Sequence, residues 1–404
     1  MKYVVLLGDG MADHPMRELG GRTALQAAFT PNMDKLASTG ICGTVRTIPG
    51  GFDSGSDVAN MSILGYDPRE FYSGRAPLEA ASMDIDLAPG QVAYRCNLVT
   101  LRFDKKSKAE MEDYSAGHIT TNEAEALIDV LDRKIVKKGV KFHPGVSYRH
   151  LMVWTGGQID AQCTPPHDII GKQISTHLPK GAGSEFLNTL MRDSVDILQK
   201  HPVNRKRVAE GKNPANSIWL WGQGAKPTFR PFHEKYGIEG SVVSAVDLMK
   251  GLGICAGLRS IDVPGATGYL DTNYEGKAQY ALDSLKERDF VYIHVEAPDE
   301  AGHMGKANDK IQAIEDFDSF VVRRVMRGLK AFGDHRILLL PDHSTPLALR
   351  THSDEPVPFA LYDSTNVRKG AQRAYDETIA RQKGIYEFPD GYKLMDFFIK
   401  KEIS

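Results

Sequence analysis

Phe290-Val-Tyr-Ile-His-Val-Glu-Ala-Pro-Asp-Glu-Ala-Gly-His303 carries a short apolar run straight into acids and a histidine. Two other stretches follow the same plan. Tyr3–Leu7 (YVVLL) leads into Asp9, and Arg336–Leu340 (RILLL) leads into Asp342 and His343. Apolar runs of this length, without polar alternation, read as strands buried on both faces. The polar groups then stand at the carboxyl ends of strands, where open α/β sheets place their sites. Helix-like segments separate the runs. Thr30-Pro31-Asn32 starts one, with Thr30 as N-cap and Pro31 at N1, where its missing N–H is harmless. Asn122–Val136 and Glu185–Lys200 are amphipathic, and Lys306–Lys330 reads as one long helix charged on one face. Alternating strands and helices predict an α/β fold with a mainly parallel sheet flanked by helices.

The middle of the chain has strands of its own (VAYRCNLVTLRF, SYRHLMVW, SIWLWG) and helices of its own. It is long enough for an independent core. Leu87-Ala88-Pro89-Gly90 and Gly222-Gln223-Gly224-Ala225-Lys226-Pro227 read as hinges, being rich in Gly and Pro. The expected organisation is one catalytic domain in two pieces, 1–85 and 225–404, interrupted by a smaller inserted α/β domain over 86–224.

Composition excludes several classes. The 404 residues carry 50 Lys+Arg against 52 Asp+Glu and are 41% hydrophobic, which is the make-up of a folded domain protein and not of a disordered chain. A net charge of −2 gives no electrostatic reason to expect nucleic acid or an anionic membrane as partner. The apolar stretch before Asp9 has only five residues, short of the roughly 7–15 of a secretory h-region. Cys42, Cys96, Cys163 and Cys255 form no C-x-x-C pair and read as buried free thiols of a reducing cytoplasm. No G-x-S-x-G surrounds Ser54 or Ser56, and no phosphate-cradling G-x-x-x-x-G-K-[ST] occurs. Gly251-Leu-Gly-Ile-Cys-Ala256 fits G-x-G-x-x-A but follows a helix-like segment, so it reads as a helix terminus and turn.

The chemistry gathers at the strand ends. Asp299 and His303 are four apart and share one face of a helical turn. Asp342, His343, His352 and Asp9 complete three carboxylates and three histidines, without thiolate. Such a donor set suits Mn²⁺, Mg²⁺ or Zn²⁺. Gly50–Pro68 adds a small, hydroxyl-rich turn that enters a helix-like VANMSIL. Ser56 is its best-placed hydroxyl, with Ser54 as competitor. At a helix N-terminus it is either an N-cap or, beside a divalent ion, a nucleophile for phosphate.

These residues, in this order, resemble the alkaline phosphatase superfamily. Within it the chain is similar to the archaeal-type, 2,3-bisphosphoglycerate-independent phosphoglycerate mutases. The likeness runs over nearly the whole chain, through LGDGMAD, TPNMDKLASTG, GSDVANMSILGYDP, GRAPLEAAS, DYSAGHITTNEA, DVPGATGYLDTNYEGKA, EAPDEAGH, PDHSTP and THSDEPVPF. It implies an alkaline-phosphatase-like core with two divalent metal sites, Mn²⁺ first, with Mg²⁺, Co²⁺ or Zn²⁺ as alternatives. Asp299, His303 and His352 match one ligand set. Asp9, Asp342 and His343, with the nucleophile Ser56, match the other. It implies interconversion of 3- and 2-phosphoglycerate through phosphoserine, under a lid formed by the inserted domain. On the same analogy His118, Arg149, Lys277, Arg75 and Asp168 contact the substrate. Transfer to homoserine, and simple phosphatase action, remain alternatives on the same site.

Overall fold

The computed structural model describes residues 1–105, 108–368 and 373–400. They form two compact units, Met1–Tyr72 with Thr228–Ser404, and Ser73–Pro227. The first crossing lies earlier in the chain than the sequence reading put it. The cause is the helix Ala76–Ser82, whose Ala76 and Ala80 bury against Ala93, Leu151 and Val153 of the second unit.

The first unit is built on eight strands. Their spatial order is Tyr386–Phe388, Ile41–Val45, Val357–Asp363, His335–Leu340, Lys2–Gly8, Phe290–Val295, Gly240–Val243 and Arg259–Ile261. The three apolar runs singled out in the sequence are the adjacent central strands. Lys2–Gly8 pairs in parallel with both of its neighbours, Leu7 standing level with His294 on one side and Leu340 on the other. That register brings Asp9, Glu296 and Asp342 to one edge of the sheet. Only Val357–Asp363 runs against the rest, pairing antiparallel with His335–Leu340 and Ile41–Val45. Both faces of the central strands are buried, and Val4, Leu6, Val291, Ile293, Ile337 and Leu339 form part of one apolar cluster with Ala278, Ala313 and Phe317 of the covering helices.

The expected long helix over Lys306–Lys330 is broken. Ala307–Asp316 passes through a π turn, Phe317–Val322, before Arg323–Gly328 and a 3₁₀ turn, Leu329–Phe332. The π turn serves a neighbour. Its buried Asp318 accepts the amides of Asn32 (3.1 Å) and Met33 (2.8 Å), the free N–H groups of the helix Pro31–Thr39. Thr30 stands at the N-cap position but its hydroxyl makes no capping bond. As read, Gly251–Ala256 is the last turn and C-cap of the helix Asp247–Cys255, and the turn follows at Gly257. A Cβ on Gly253 would sit 2.5 Å from Val242 Cγ1, so the glycine lets the helix close on the sheet.

The second unit holds an antiparallel five-stranded sheet. Gln91–Phe103 pairs with Ala109–Asp113, Arg149–Thr155 and Ser217–Gly224, and Val140–His143 extends the sheet beyond Arg149–Thr155. The helices Thr121–Lys134 and Ser184–Leu198 close its core through Leu127, Leu131, Leu187 and Leu190. All four cysteines are thiols, Cys42 and Cys96 buried, Cys163 and Cys255 partly so. Among the described residues no helix is long and apolar enough to cross a membrane.

Candidate active site

The carboxyl edge of the first unit's sheet gathers all seven residues read as metal site and nucleophile. Asp9 follows the strand Lys2–Gly8, and Asp342 and His343 follow His335–Leu340. Asp299 and His303 sit one turn apart in the helix Ala297–Met304. His352 comes from the loop before Val357–Asp363, and Ser56 is the first residue of the helix Ser56–Ile63. Gly55 holds the N-cap position and makes no side-chain bond, so the Ser56 hydroxyl is released from capping. It lies 3.1 Å from His343 Nε2. Ser54 contributes a backbone carbonyl instead, 3.1 Å from His352 Nδ1.

Two groups of ligand atoms meet at His343. Asp299, His343 and His352 form one, Asp9, Asp342 and His343 the other, and in each the atoms lie within 4.8 Å of one another. His303 joins the first, its Nε2 lying 3.2 Å from Asp299 and 2.9 Å from His352 Nε2. The Nδ1 atoms of both histidines face backbone carbonyls, of Arg350 and Ser54, each at 3.1 Å. A carbonyl only accepts, so these contacts fix hydrogen on Nδ1 and turn both Nε2 atoms to Asp299. Arg350 adopts a left-handed φ of 56° in presenting its carbonyl. Asp9 binds His294 Nε2 through Oδ2 at 2.8 Å, while its buried Oδ1 has no hydrogen-bond donor. Asp342 takes the amides of Gly10 and His343 on Oδ1 and Asn60 Nδ2 on Oδ2. An orphaned carboxylate oxygen and two imidazole nitrogens turned nose to nose are satisfied by divalent cations, whose oxygen and nitrogen donors these are.

The electrostatics fit that reading. Burial, then the neighbouring Asp342 and Asp299, hold the Asp9 carboxyl well above the usual carboxylate range. Burial pushes Asp299 the same way, but hydrogen bonds from His303 and His352 overcome it and hold it well below. His303 is correspondingly raised to about 9 against the pull of burial, through its bond to Asp299. Burial drives His294 down to about 3, which leaves a neutral ring between Asp9 and Ser244.

Sequence reasoning missed the residues that hold the donors. Asn60 Nδ2 bridges the Ser56 carbonyl (2.8 Å) and Asp342 (2.9 Å), and its Oδ1 takes the Tyr292 hydroxyl. Its place four residues after Ser56, on the same helix face, was the available signal. Asp9, Glu296 and His294 also approach as a third group within 4.8 Å.

The expected substrate contacts divide. Lys277 lies in the first unit, fully buried in the helix Tyr274–Ser284, with Nζ 3.2 Å from the carbonyl of His294, whose ring meets Asp9. Burial lowers its pKa to about 8. The other four lie in the second unit on one connected set of side chains. His118, at φ 48°, and Arg149 both approach the Tyr148 ring. Tyr148 meets Tyr114, and Tyr114 meets His167, the neighbour of Asp168. His167 meets Trp221, over which Arg95 stacks at 4.3 Å. Glu79 then joins Arg95 (2.9 Å) to Arg75 (3.2 Å).

Residues 37–204 match the family model described as 2,3-bisphosphoglycerate-independent phosphoglycerate mutase. The protein of that name from Methanosarcina acetivorans is 56% identical over 380 residues, 93% of this chain and 94% of its own. A protein of known structure from Pyrococcus horikoshii is 29% identical, with a TM-score of 0.82 over 99% of this chain and 96% of its own. The cofactor-independent phosphoglycerate mutase of Thermoplasma acidophilum is also 29% identical, with a TM-score of 0.65 over 99% of this chain and 100% of its own. With more than half of its residues shared along nearly its whole length, the chain belongs to the 2,3-bisphosphoglycerate-independent phosphoglycerate mutases.

Proposed function

We propose that this chain interconverts 3- and 2-phosphoglycerate without added bisphosphoglycerate, by passing the phosphoryl group through Ser56. The observation that carries the proposal is the Ser56 hydroxyl, 3.1 Å from His343 Nε2 at the junction of the two ligand clusters. The names of the relatives favour glycerate as acceptor over homoserine or water. A phosphorylated intermediate of glycolysis also favours a cytoplasmic setting.

Asp299, His303 and His352 would hold one divalent cation, and Asp9, Asp342, His343 and Ser56 a second, with Mn²⁺ the proposed ion. Such cations, when bound, neutralise the transferring phosphoryl group and make the serine oxygen a better nucleophile. The chain's own residues do the rest. The helix Ser56–Ile63 begins at the nucleophile, so its N-terminal end favours the phosphoryl oxygens, although the Val58 amide is already taken by Asp57 Oδ1 at 3.0 Å. Ser56 Oγ forms a bond to phosphorus as the glycerate oxygen leaves, and the serine proton passes in net terms to that oxygen. The second glycerate hydroxyl then attacks phosphoserine, and the proton returns. His118, Arg149, Arg75 and Asp168 are proposed to hold the glycerate during its reorientation, which must be shielded from water if phosphate is not to be lost.

An enolase-coupled assay with 3-phosphoglycerate and Mn²⁺ tests the reading. Wild type should turn over, and Ser56→Ala should lose at least the factor of about 10² that covalent or acid–base groups commonly supply. Wild-type protein that binds Mn²⁺ but makes no 2-phosphoglycerate would sink the acceptor assignment. A Ser56→Ala variant as active as wild type would sink the phosphoserine.

A further inference from the structure

Thr345 is buried two residues after His343, on the loop that leaves the strand His335–Leu340. Its backbone is pinned at both ends. The amide donates to the Ala12 carbonyl at 3.2 Å, and the carbonyl accepts Lys310 Nζ at 2.8 Å. Lys310 is itself fully buried and paired with Asp13 at 2.9 Å. Two glycines make room for the side chain. A Cβ on Gly10 would stand 2.5 Å from Thr345 Oγ1, and one on Gly302 2.7 Å from the Thr345 carbonyl.

So held, the hydroxyl touches two groups, Asp299 of one proposed cation's ligand set and His343 of the other's. It donates to Asp299 Oδ1 and lies 3.2 Å from His343 Nδ1. A hydroxyl has one hydrogen, and an ionised carboxylate has none to give. With the hydroxyl hydrogen on Asp299, the contact to His343 needs hydrogen on Nδ1. We infer that Thr345 is a positioning residue that fixes His343 in its Nδ1–H form and links the two ligand clusters through one hydrogen-bond relay, His343 to Thr345 to Asp299. The His343 Nε2 lone pair is then left facing Ser56 Oγ at 3.1 Å, with Asp342 at 3.4 Å and Asp9 at 3.7 Å. The same relay puts a donor on Asp299, so loss of the hydroxyl disturbs both clusters together.

This inference rests on the two-cation reading above, and the experiment separates their failures. Chelator-stripped wild type, Thr345→Val and Thr345→Ser are each titrated with Mn²⁺ by calorimetry. Valine keeps the shape and removes the hydroxyl. Partners that orient a metal-binding histidine are worth about 10–100-fold in affinity, and Thr345→Val should weaken Mn²⁺ binding by that factor while Thr345→Ser restores it. A well-folded Thr345→Val that binds Mn²⁺ as wild type does overturns the inference alone. Wild type that binds no Mn²⁺ overturns the two-cation reading and the inference with it. If Thr345→Val does not fold, ¹⁵N-imidazole spectra of Zn²⁺-loaded wild type decide, with the His343 signal assigned by its loss in His343→Gln. Hydrogen on Nδ1 supports the relay, and hydrogen on Nε2 overturns it.

Discussion

Asn60 shows how much of the site depends on a residue that does no chemistry of its own. Its amide is fully buried, and each end is engaged, with Ser56 and Asp342 on one side and Tyr292 on the other. Asn60→Leu keeps the bulk and leaves the Tyr292 hydroxyl and Asp342 Oδ2 without this partner. A buried polar group left unsatisfied costs about 1–3 kcal/mol. We expect a loss of stability of that size in urea titrations, together with a fall in kcat as Asp342 loses its fixed orientation. Unchanged stability would mean that water or another donor replaces the amide. Of the seven residues that converge here, all but His352 were legible because each follows an apolar run or stands on a helical turn beside small residues, and His352 was legible by its place after Asp342 and His343. Asn60, Tyr292 and Thr345 were not, since amides and hydroxyls serve equally well as caps and turn residues anywhere in a chain. The burial of Lys277 was legible as well. With Tyr274, Ala278 and Ala281 it falls on an i, i+3, i+4, i+7 stripe, and that stripe faces the core.

At the scale of elements, the short 3₁₀ turn Glu377–Arg381 ties a C-terminal segment to the loop that leaves the first strand. Glu377 accepts the Asp13 amide at 2.9 Å and the Thr23 hydroxyl at 2.7 Å. Burial nevertheless raises its pKa from 4.5 to about 7, overcoming the hydrogen bonds that lower it. The sign of the consequence follows from proton counting. Between pH 4.5 and 7 the folded protein holds a proton on Glu377 that the unfolded chain has released. Stability linked to this group is therefore full below about pH 4.5 and declines as pH rises through 7, by on the order of 3 kcal/mol in all. Glu377→Gln keeps an acceptor for the Asp13 amide and cannot ionise. We expect it to flatten the fall in stability between pH 5 and 8, measured by urea midpoints across that range, and equal slopes in the two proteins would count against the raised pKa of this half-buried acid. Sequence could not place this turn or the π turn at Phe317–Val322. Both are set by a distant partner, the helix Pro31–Thr39 for Asp318 and the first strand's exit loop for Glu377, and no local period records such a partner.

On the scale of the whole molecule, the alternation of buried strands and amphipathic helices carried the architecture. The three central strands were found because parallel strands buried on both faces are unbroken apolar runs. Val357–Asp363 was not foreseen as antiparallel, since direction within a sheet depends on connections and not on composition. The boundary at Ser73 was displaced because the Pro and Gly at 87–90 mark a turn inside the second unit, downstream of a helix that packs there. This division has a measurable consequence. Every residue proposed to hold a cation lies in the first unit, and the tryptophans, Trp154, Trp219 and Trp221, all lie in the second. Each unit has its own apolar cluster, and the chain crosses between them only twice. A ligand that binds only the folded state stabilises what it binds, by about 2.7 kcal/mol at a hundredfold excess over its dissociation constant. We expect Mn²⁺ to raise the melting temperature of the first unit, read by circular dichroism, and to leave the tryptophan-fluorescence transition in place. EDTA should reverse the first shift alone. Equal movement of both signals would show that the units unfold as one cooperative body. Movement of the fluorescence transition alone would place the cation in the second unit, against the ligand set at the carboxyl edge of the first unit's sheet.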